Sequence, residues 1–370
     1  MKKTLLACAA LTAFAGAASA QSSVTLFGVV DTSLRHVKTG DVSTSKLGTD
    51  GNSPSRFGFR GVESLGNGLS ANFWLEGGFN PDTGTIGSKL FSRRSTVGLS
   101  GNFGEVRLGR DTLAVYNNAS QFDPFGATGI ASINNLLEGG GRQFTGGTTF
   151  STNGVATAIT GPLGTTVTPS GGTAAATDIR RADNQVSYFL PGNLGGVYGQ
   201  ASYSFGEGGT GRTNGLRLGW KGYGFDGAAA VNNIDVNQGD LRIVNAALSY
   251  DFNVVKLVGQ YAQLKLEPTA ATGDLKQRVW QLGAIVPVSA AGAFKLSYSK
   301  ANDYAKARQV AVGYQHDLSK RTALYATFAQ IKNKEDGAVA TGNFYLNDAP
   351  VPTLAQQKST GYEFGIRHAF

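Results

Sequence analysis

Apolar and polar residues alternate along most of this chain. In Val24-Thr25-Leu26-Phe27-Gly28-Val29-Val30-Asp31, the set Val24, Leu26, Gly28 and Val30 falls on one side, and Asp31, Ser33 and Arg35 fall on the other. Phe57 and Phe59 oppose Arg56, Gly58 and Arg60. Val97 and Leu99 oppose Arg94, Thr96 and Gly98, Val106 and Leu108 oppose Arg107 and Gly109, and Phe294, Leu296 and Tyr298 oppose Lys295, Ser297 and Ser299. Successive side chains of a strand point to opposite faces, so each segment predicts a strand with one apolar and one polar wall. The first eight segments are 22–35, 55–64, 69–79, 89–100, 104–111, 181–190, 196–206 and 213–222; the others are 227–235, 240–251, 254–267, 275–286, 292–300, 307–317, 321–332 and 359–370.

Many segments run to ten or twelve residues, the length of a tilted bilayer crossing. Short turns such as Leu65-Gly66-Asn67-Gly68 and Gly101-Asn102-Phe103-Gly104 alternate with longer connections at about 36–53, 111–180 and 334–358. Short turns at one end and long loops at the other mark an outer-membrane barrel rather than a soluble sandwich. Backbone groups in lipid need internal partners, so the sheet must close without a free edge. The expected fold is all-β, a 16-stranded antiparallel transmembrane β-barrel with both termini on the periplasmic side. The terminal run Phe364, Ile366, His368, Phe370 is suited to pair with the strand that starts near Ser22.

Composition adds a compartment. Lys2 and Lys3, the mostly apolar stretch Leu5 to Ala17, and Ala18-Ser19-Ala20 read as a signal peptide over 1–20, leaving a mature barrel domain of 21–370. Cys8, the single cysteine, leaves with it, so the mature chain has no thiolate ligand or nucleophile. Without Lys2 and Lys3 there remain 31 basic and 25 acidic residues. That modest surplus, with no nucleic-acid motif, implies no nucleic-acid partner. The three histidines, His36, His316 and His368, are far apart, and no Gly-x-Ser-x-Gly or His-Glu-x-x-His is present. Neither an enzyme nor a metal or cofactor site is expected.

One connection departs from the rest. Residues 111–180 far exceed an ordinary loop. Its first part holds Phe122-Asp123-Pro124-Phe125-Gly126, aromatic and turn-rich, and its middle is rich in Gly, Thr, Ser and Ala. Folding the first part into the lumen would narrow a channel that sixteen strands otherwise leave wide.

Several stretches resemble the general porins of Gram-negative bacteria, particularly the betaproteobacterial type. The likeness runs through Ser23 to Gly28, Ser55-Arg56-Phe57-Gly58-Phe59-Arg60-Gly61, Glu76 to Asn80, and Phe91-Ser92-Arg93-Arg94-Ser95-Thr96-Val97-Gly98-Leu99. It continues in Val106-Arg107-Leu108-Gly109-Arg110, Phe122 to Gly126, Asp183 to Tyr188 and Arg367-His368-Ala369-Phe370. The resemblance implies a homotrimer with one channel per subunit, and a third external loop, here 111–180, folded inward as the constriction.

The expected function is passive diffusion of small hydrophilic solutes and inorganic ions through the outer membrane. Width and charge at the neck set selectivity. Arg56, Arg60, Arg94 and Arg107 are the expected constriction wall, from strands two, four and five, with Arg35 and Arg110 as weaker candidates at strand ends. On the loop side stand Asp111, Asp123, Glu138 and Arg142. Asp123 precedes Pro124, so a turn role competes with a neck role. Inward arginines against few loop acids predict an anion preference. The alternative is a substrate-specific channel for phosphate, organic anions or sugars, which would need a continuous binding track. Lys38, Lys46 and Lys300 are candidates to meet lipopolysaccharide and other anionic outer-membrane lipid.

Overall fold

The computed structural model describes residues 23–87, 89–137, 179–207, 211–236, 239–268, 274–303, 306–334, 344–349 and 357–370. The expected signal segment 1–20, and Glu138 and Arg142 with them, lie outside the described residues.

The elements in chain order are β1 (Ser23–Thr39), β2 (Val42–Thr49), β3 (Arg56–Gly66), β4 (Leu69–Asn80), β5 (Thr85–Ile86), β6 (Arg94–Gly101) and β7 (Gly104–Thr112), then α1 (Ala114–Gln121). After the long connection come β8 (Arg181–Phe189), β9 (Val197–Ser204), β10 (Thr213–Gly222), β11 (Phe225–Val236), β12 (Gly239–Asp251) and β13 (Lys256–Pro268). The last are β14 (Leu275–Pro287), β15 (Gly292–Asp303), β16 (Ala307–Asp317), β17 (Thr322–Asn333) and β18 (Ser359–Ala369). Setting aside β2 and β5, sixteen strands form one closed antiparallel wall among the described residues.

Closure is by β1 with β18, from Val29↔Ala369 to Thr39↔Ser359. The amide of Phe370 donates to Gly28 O at 3.0 Å, and that of Gly28 donates to Phe370 O at 3.1 Å. Gly28 is required here: a Cβ would lie 2.3 Å from the Phe370 ring. The expected partner of the C-terminal run was therefore the correct strand, met at Gly28 rather than at its start.

The apolar wall faces outward. Val24, Leu26, Phe59, Val97, Leu108, Leu216, Leu282, Val310 and Phe364 are all well exposed. In water so much exposed apolar surface would drive aggregation, whereas against lipid tails it is matched. The opposite face carries the polar residues, among them the buried Asp31, Gln185, Gln200, Gln260, Gln281 and Gln309.

One expectation about connections is corrected. The loop expected over 36–53 is largely strand: β1 continues to Thr39, and β2 returns beside it from Thr39↔Val42 to Thr32↔Thr49. β3 then takes over the same edge of β1, from Val29↔Arg56 to Ser23↔Val62. The chain after β7 opens with the helix α1, which the strand pattern did not place. Leu113 at its N-cap supplies no side-chain hydrogen bond, so local sequence does little to fix the helix.

Candidate functional site

The polar wall is densest in charge on β3, β4, β6 and β7. Register explains why. Arg60 lies opposite Trp74, Trp74 opposite Thr96, Glu76 opposite Arg94, and Gly98 opposite Arg107. Residues directly opposite in an antiparallel pair share a face. The four wall arginines are thus brought to one side of four adjoining strands.

Trp74 and Glu76 organise them. The guanidinium carbon of Arg60 sits 5.1 Å from the Trp74 ring centroid and 5.3 Å from that of Phe27. Arg94 lies over the same indole at 4.7 Å. A ring face attracts a guanidinium while leaving its N–H edges free for other acceptors. The Trp74 indole N–H donates to Glu76 Oε2 at 2.9 Å. Glu76 Oε1 pairs with Arg93 Nε at 2.5 Å and Arg56 Nε at 3.5 Å. Arg56 also donates to Ser53 Oγ and Pro54 O, at 3.0 and 2.7 Å.

At the other end of this patch, Arg107 binds Glu105 through two parallel hydrogen bonds of 2.8 and 2.7 Å. Its third contact is to Asp111 Oδ2 at 3.2 Å, and it covers the Phe189 ring at 3.9 Å. Asp111 Oδ2 also lies 3.9 Å from Arg94 Nε. Asp111, expected on the loop side, therefore belongs to β7 and sits among the arginines. Arg56, Arg60, Arg93, Arg94 and Arg107 together face the carboxylates of Glu76, Glu105 and Asp111, and positive charge remains in excess.

The two weaker candidates are placed elsewhere. The Arg35 side chain is 0% exposed, bound to Glu363, Asp348 and the carbonyl of Thr49. It points away from lipid, but sealed under residues 344–349 it meets no solvent. Arg110 follows the parity of Val106 and Leu108, the lipid-facing pair, and is tied to Asp183 at 2.8 Å. A bulge between Gly109 and Asp111 separates it from the wall row, with Gly109 at φ 128°.

Asp123 takes the turn role. Its carboxylate accepts the amides of Phe125, Ala127 and Ile133 at 3.1, 3.1 and 3.0 Å, and Gln281 Nε2 at 3.4 Å. Burial pushes its carboxyl above the usual carboxylate range, and these donors work against that shift. Residues 113–137 make further bonds to strand side chains. Val115 N donates to Asn232, Asn118 to Asn245, and Asn117 to Gln200, while Gln309 donates to Ala131 O and Ser132 O.

Sequence reasoning overlooked Trp74, Glu76, Glu105 and Arg93. Trp74 and Glu76 share the polar parity of β4, so the signal was present. It also overlooked Arg217, Lys221, Lys295 and Arg367, which lie on the polar face of strands further round. Arg217 Nε donates to Asn118 Oδ1 at 3.1 Å, and Lys295 Nζ donates to Asn52 Oδ1 at 3.2 Å. Arg367 is within electrostatic reach of both Arg56 and Lys295.

A model of the Gram-negative porin family matches residues 7–336. The chain belongs to that family. Outer membrane porin protein 32 of Delftia acidovorans is 39% identical, over the whole of both chains. An outer membrane porin protein of Bordetella pertussis is 29% identical, again over both whole chains. Among solved structures, the anion-selective porin from Comamonas acidovorans matches with TM-score 0.78 and 35% identity, covering 95% of this porin and 100% of that chain. This porin is accordingly an outer-membrane β-barrel forming a diffusion channel for small solutes, a member of a channel family and not of an enzyme family.

Proposed function

We propose that this porin prefers anions and that its neck is the arginine wall of β3, β6 and β7 facing an inward-folded third loop. The observation that carries this is the continuous chain of contacts Arg60–Trp74–Arg94–Asp111–Arg107, in which cations outnumber the acids holding them. Charge in excess on a wet wall raises the local concentration of the opposite ion within about a Debye length, roughly 8–10 Å. The likeness to a porin described as anion-selective supports the same sign.

The bonds of residues 113–137 to Gln200, Asn232, Asn245 and Gln309, all of polar parity, support the inward course of the loop. Asp123 keeps that course, and the arginine wall acts with Arg217, Lys295 and Arg367 as further cationic positions along the channel. The family resemblance supports a homotrimer, and the exposed Lys38 and Lys300 support contact with lipopolysaccharide and other anionic outer-membrane lipid. Of the scattered polar-face aromatics, Tyr198 is engaged with Asp226, and Tyr325 with Asp31. That favours general diffusion over a sugar-specific track. The test is to neutralise Arg56 and Arg60 as glutamines and measure permeability ratios from reversal potentials. A clear fall in the chloride-to-potassium ratio supports the assignment, and an unchanged ratio removes these two residues from the neck.

A further inference from the structure

The lipid-facing wall carries a feature that permeation does not use. On β15, β16 and β17, Tyr298, Val310 and Gln330 lie in one row. The next row, toward the end bearing the long connections, is Lys300↔Arg308↔Lys332. All three cations are exposed and stand directly opposite one another. Neighbouring strands are only about 4.8 Å apart, so like charges so placed repel. None of the three has a side-chain ion pair or hydrogen bond among the described residues. Other rim cations do: Arg278 pairs with Asp303 at 2.5 Å, Lys265 with Glu267 at 2.7 Å, and Lys46, one of the expected lipid contacts, with Asp348 at 3.1 Å.

Beside this row the wall opens into a groove of about 530 Å³, lined by His36, Lys38, Gln330, Lys358, Thr360 and Tyr362. Lys38 lies opposite Thr360, which lies opposite Gln330, so the groove continues the row below the three cations. His36 stacks on Tyr362 at 5.2 Å and forms its lower edge. Level with that edge the wall is apolar, with Leu296, Val312 and Phe328 exposed in the row of Tyr362 and His36, and Phe364 is exposed one row further down. Lys300, Arg308 and Lys332 therefore sit four residues, about 13 Å along a strand, above this apolar row, and Lys38 sits two residues, about 7 Å, above it.

We propose that Lys300, Arg308 and Lys332, with Lys38 and Lys358 at the groove, form a binding site for a phosphorylated lipid headgroup of the outer leaflet. This rests on the outer-leaflet lipid partner named above and gives it a place. The cation row spans about 10 Å, so it can engage a headgroup with more than one phosphate. The apolar rows beneath receive the acyl chains. A small free anion would use the first feature and not the second.

The full-length mature porin, refolded in detergent, is titrated with diphosphorylated lipid A. Parallel titrations use the dephosphorylated lipid and inorganic phosphate, and bound lipid is counted by native mass spectrometry. The triple variant Lys300→Ala/Arg308→Ala/Lys332→Ala should bind the diphosphorylated lipid about tenfold or more weakly, since each cation near a charged lipid surface contributes. Its single-channel conductance should match wild type. A control removing exposed charge at the opposite rim, Lys320→Ala/Arg321→Ala, should bind normally. Equal loss in both variants, or none in the triple variant despite phosphate-dependent binding, overturns the site and leaves the lipid partner standing. Equal binding of the dephosphorylated lipid overturns both. Displacement by millimolar inorganic phosphate alone reassigns the row as a free-anion site and overturns the lipid claim.

Discussion

Asp123→Ala tests whether residues 122–137 hold the fixed course that the proposed neck requires. The carboxylate is buried and receives three backbone amides at 3.0–3.1 Å, with Gln281 at 3.4 Å. Alanine leaves those amides without an acceptor in a region that excludes water. Each stranded donor costs about 1–3 kcal/mol. Against this stands relief, because burial disfavours the ionised carboxylate and raises its pKa. The net local destabilisation is then roughly 3 kcal/mol, or about two orders of magnitude in the opening equilibrium. No strand pairing passes through Asp123, so the barrel persists. Hydrogen exchange at the amides of Phe125, Ala127 and Ile133 should accelerate by about that factor, and single-channel conductance should rise as the neck loosens. Asp123→Asn, which keeps one acceptor oxygen, should fall between. Wild-type exchange and conductance in Asp123→Ala would refute the anchoring role.

Asp111→Asn removes the carboxylate shared by Arg94 and Arg107, so the chloride-to-potassium permeability ratio should increase, as read from reversal potentials. Arg35→Met strands Glu363, which is 0% exposed, and should cost about 3–5 kcal/mol in denaturant unfolding while leaving ion selectivity unchanged. Trp74→Leu removes the ring beneath Arg60 and Arg94, and should weaken the wall by about 0.5–2 kcal/mol per cation–π contact. Its readout is greater open-channel current noise at an unchanged sign of selectivity.

The lipid made most of the fold readable. A strand with one side in hydrocarbon must alternate, and segments such as 213–222 and 307–317 were bounded to the residue by that constraint. β2 escaped because Val-Ser-Thr-Ser-Lys-Leu-Gly-Thr has only a weak apolar face, and its place is set by pairing with β1. α1 escaped because Ala-Val-Tyr-Asn-Asn-Ala-Ser-Gln has neither cap nor clear stripe; Asn118 and Val115 are held instead by Asn245 and Asn232, more than a hundred residues away. That Arg56, Arg60, Arg94 and Arg107 share the polar face was legible from parity alone. Their carboxylate partners were not, since which acid meets which arginine depends on cross-strand register and side-chain reach. Arg35 shows the limit of parity: it points away from lipid, yet residues 344–349 and Glu363 seal it.

The most direct measurement is the zero-current potential of the wild-type channel in a planar bilayer under a potassium chloride gradient. The arginine wall predicts a potential of the sign set by chloride. It also predicts that the preference shrinks as salt rises and the screening length falls from about 10 Å at 0.1 M to about 3 Å at 1 M. A potential of the opposite sign, or one near zero at low salt, would contradict it.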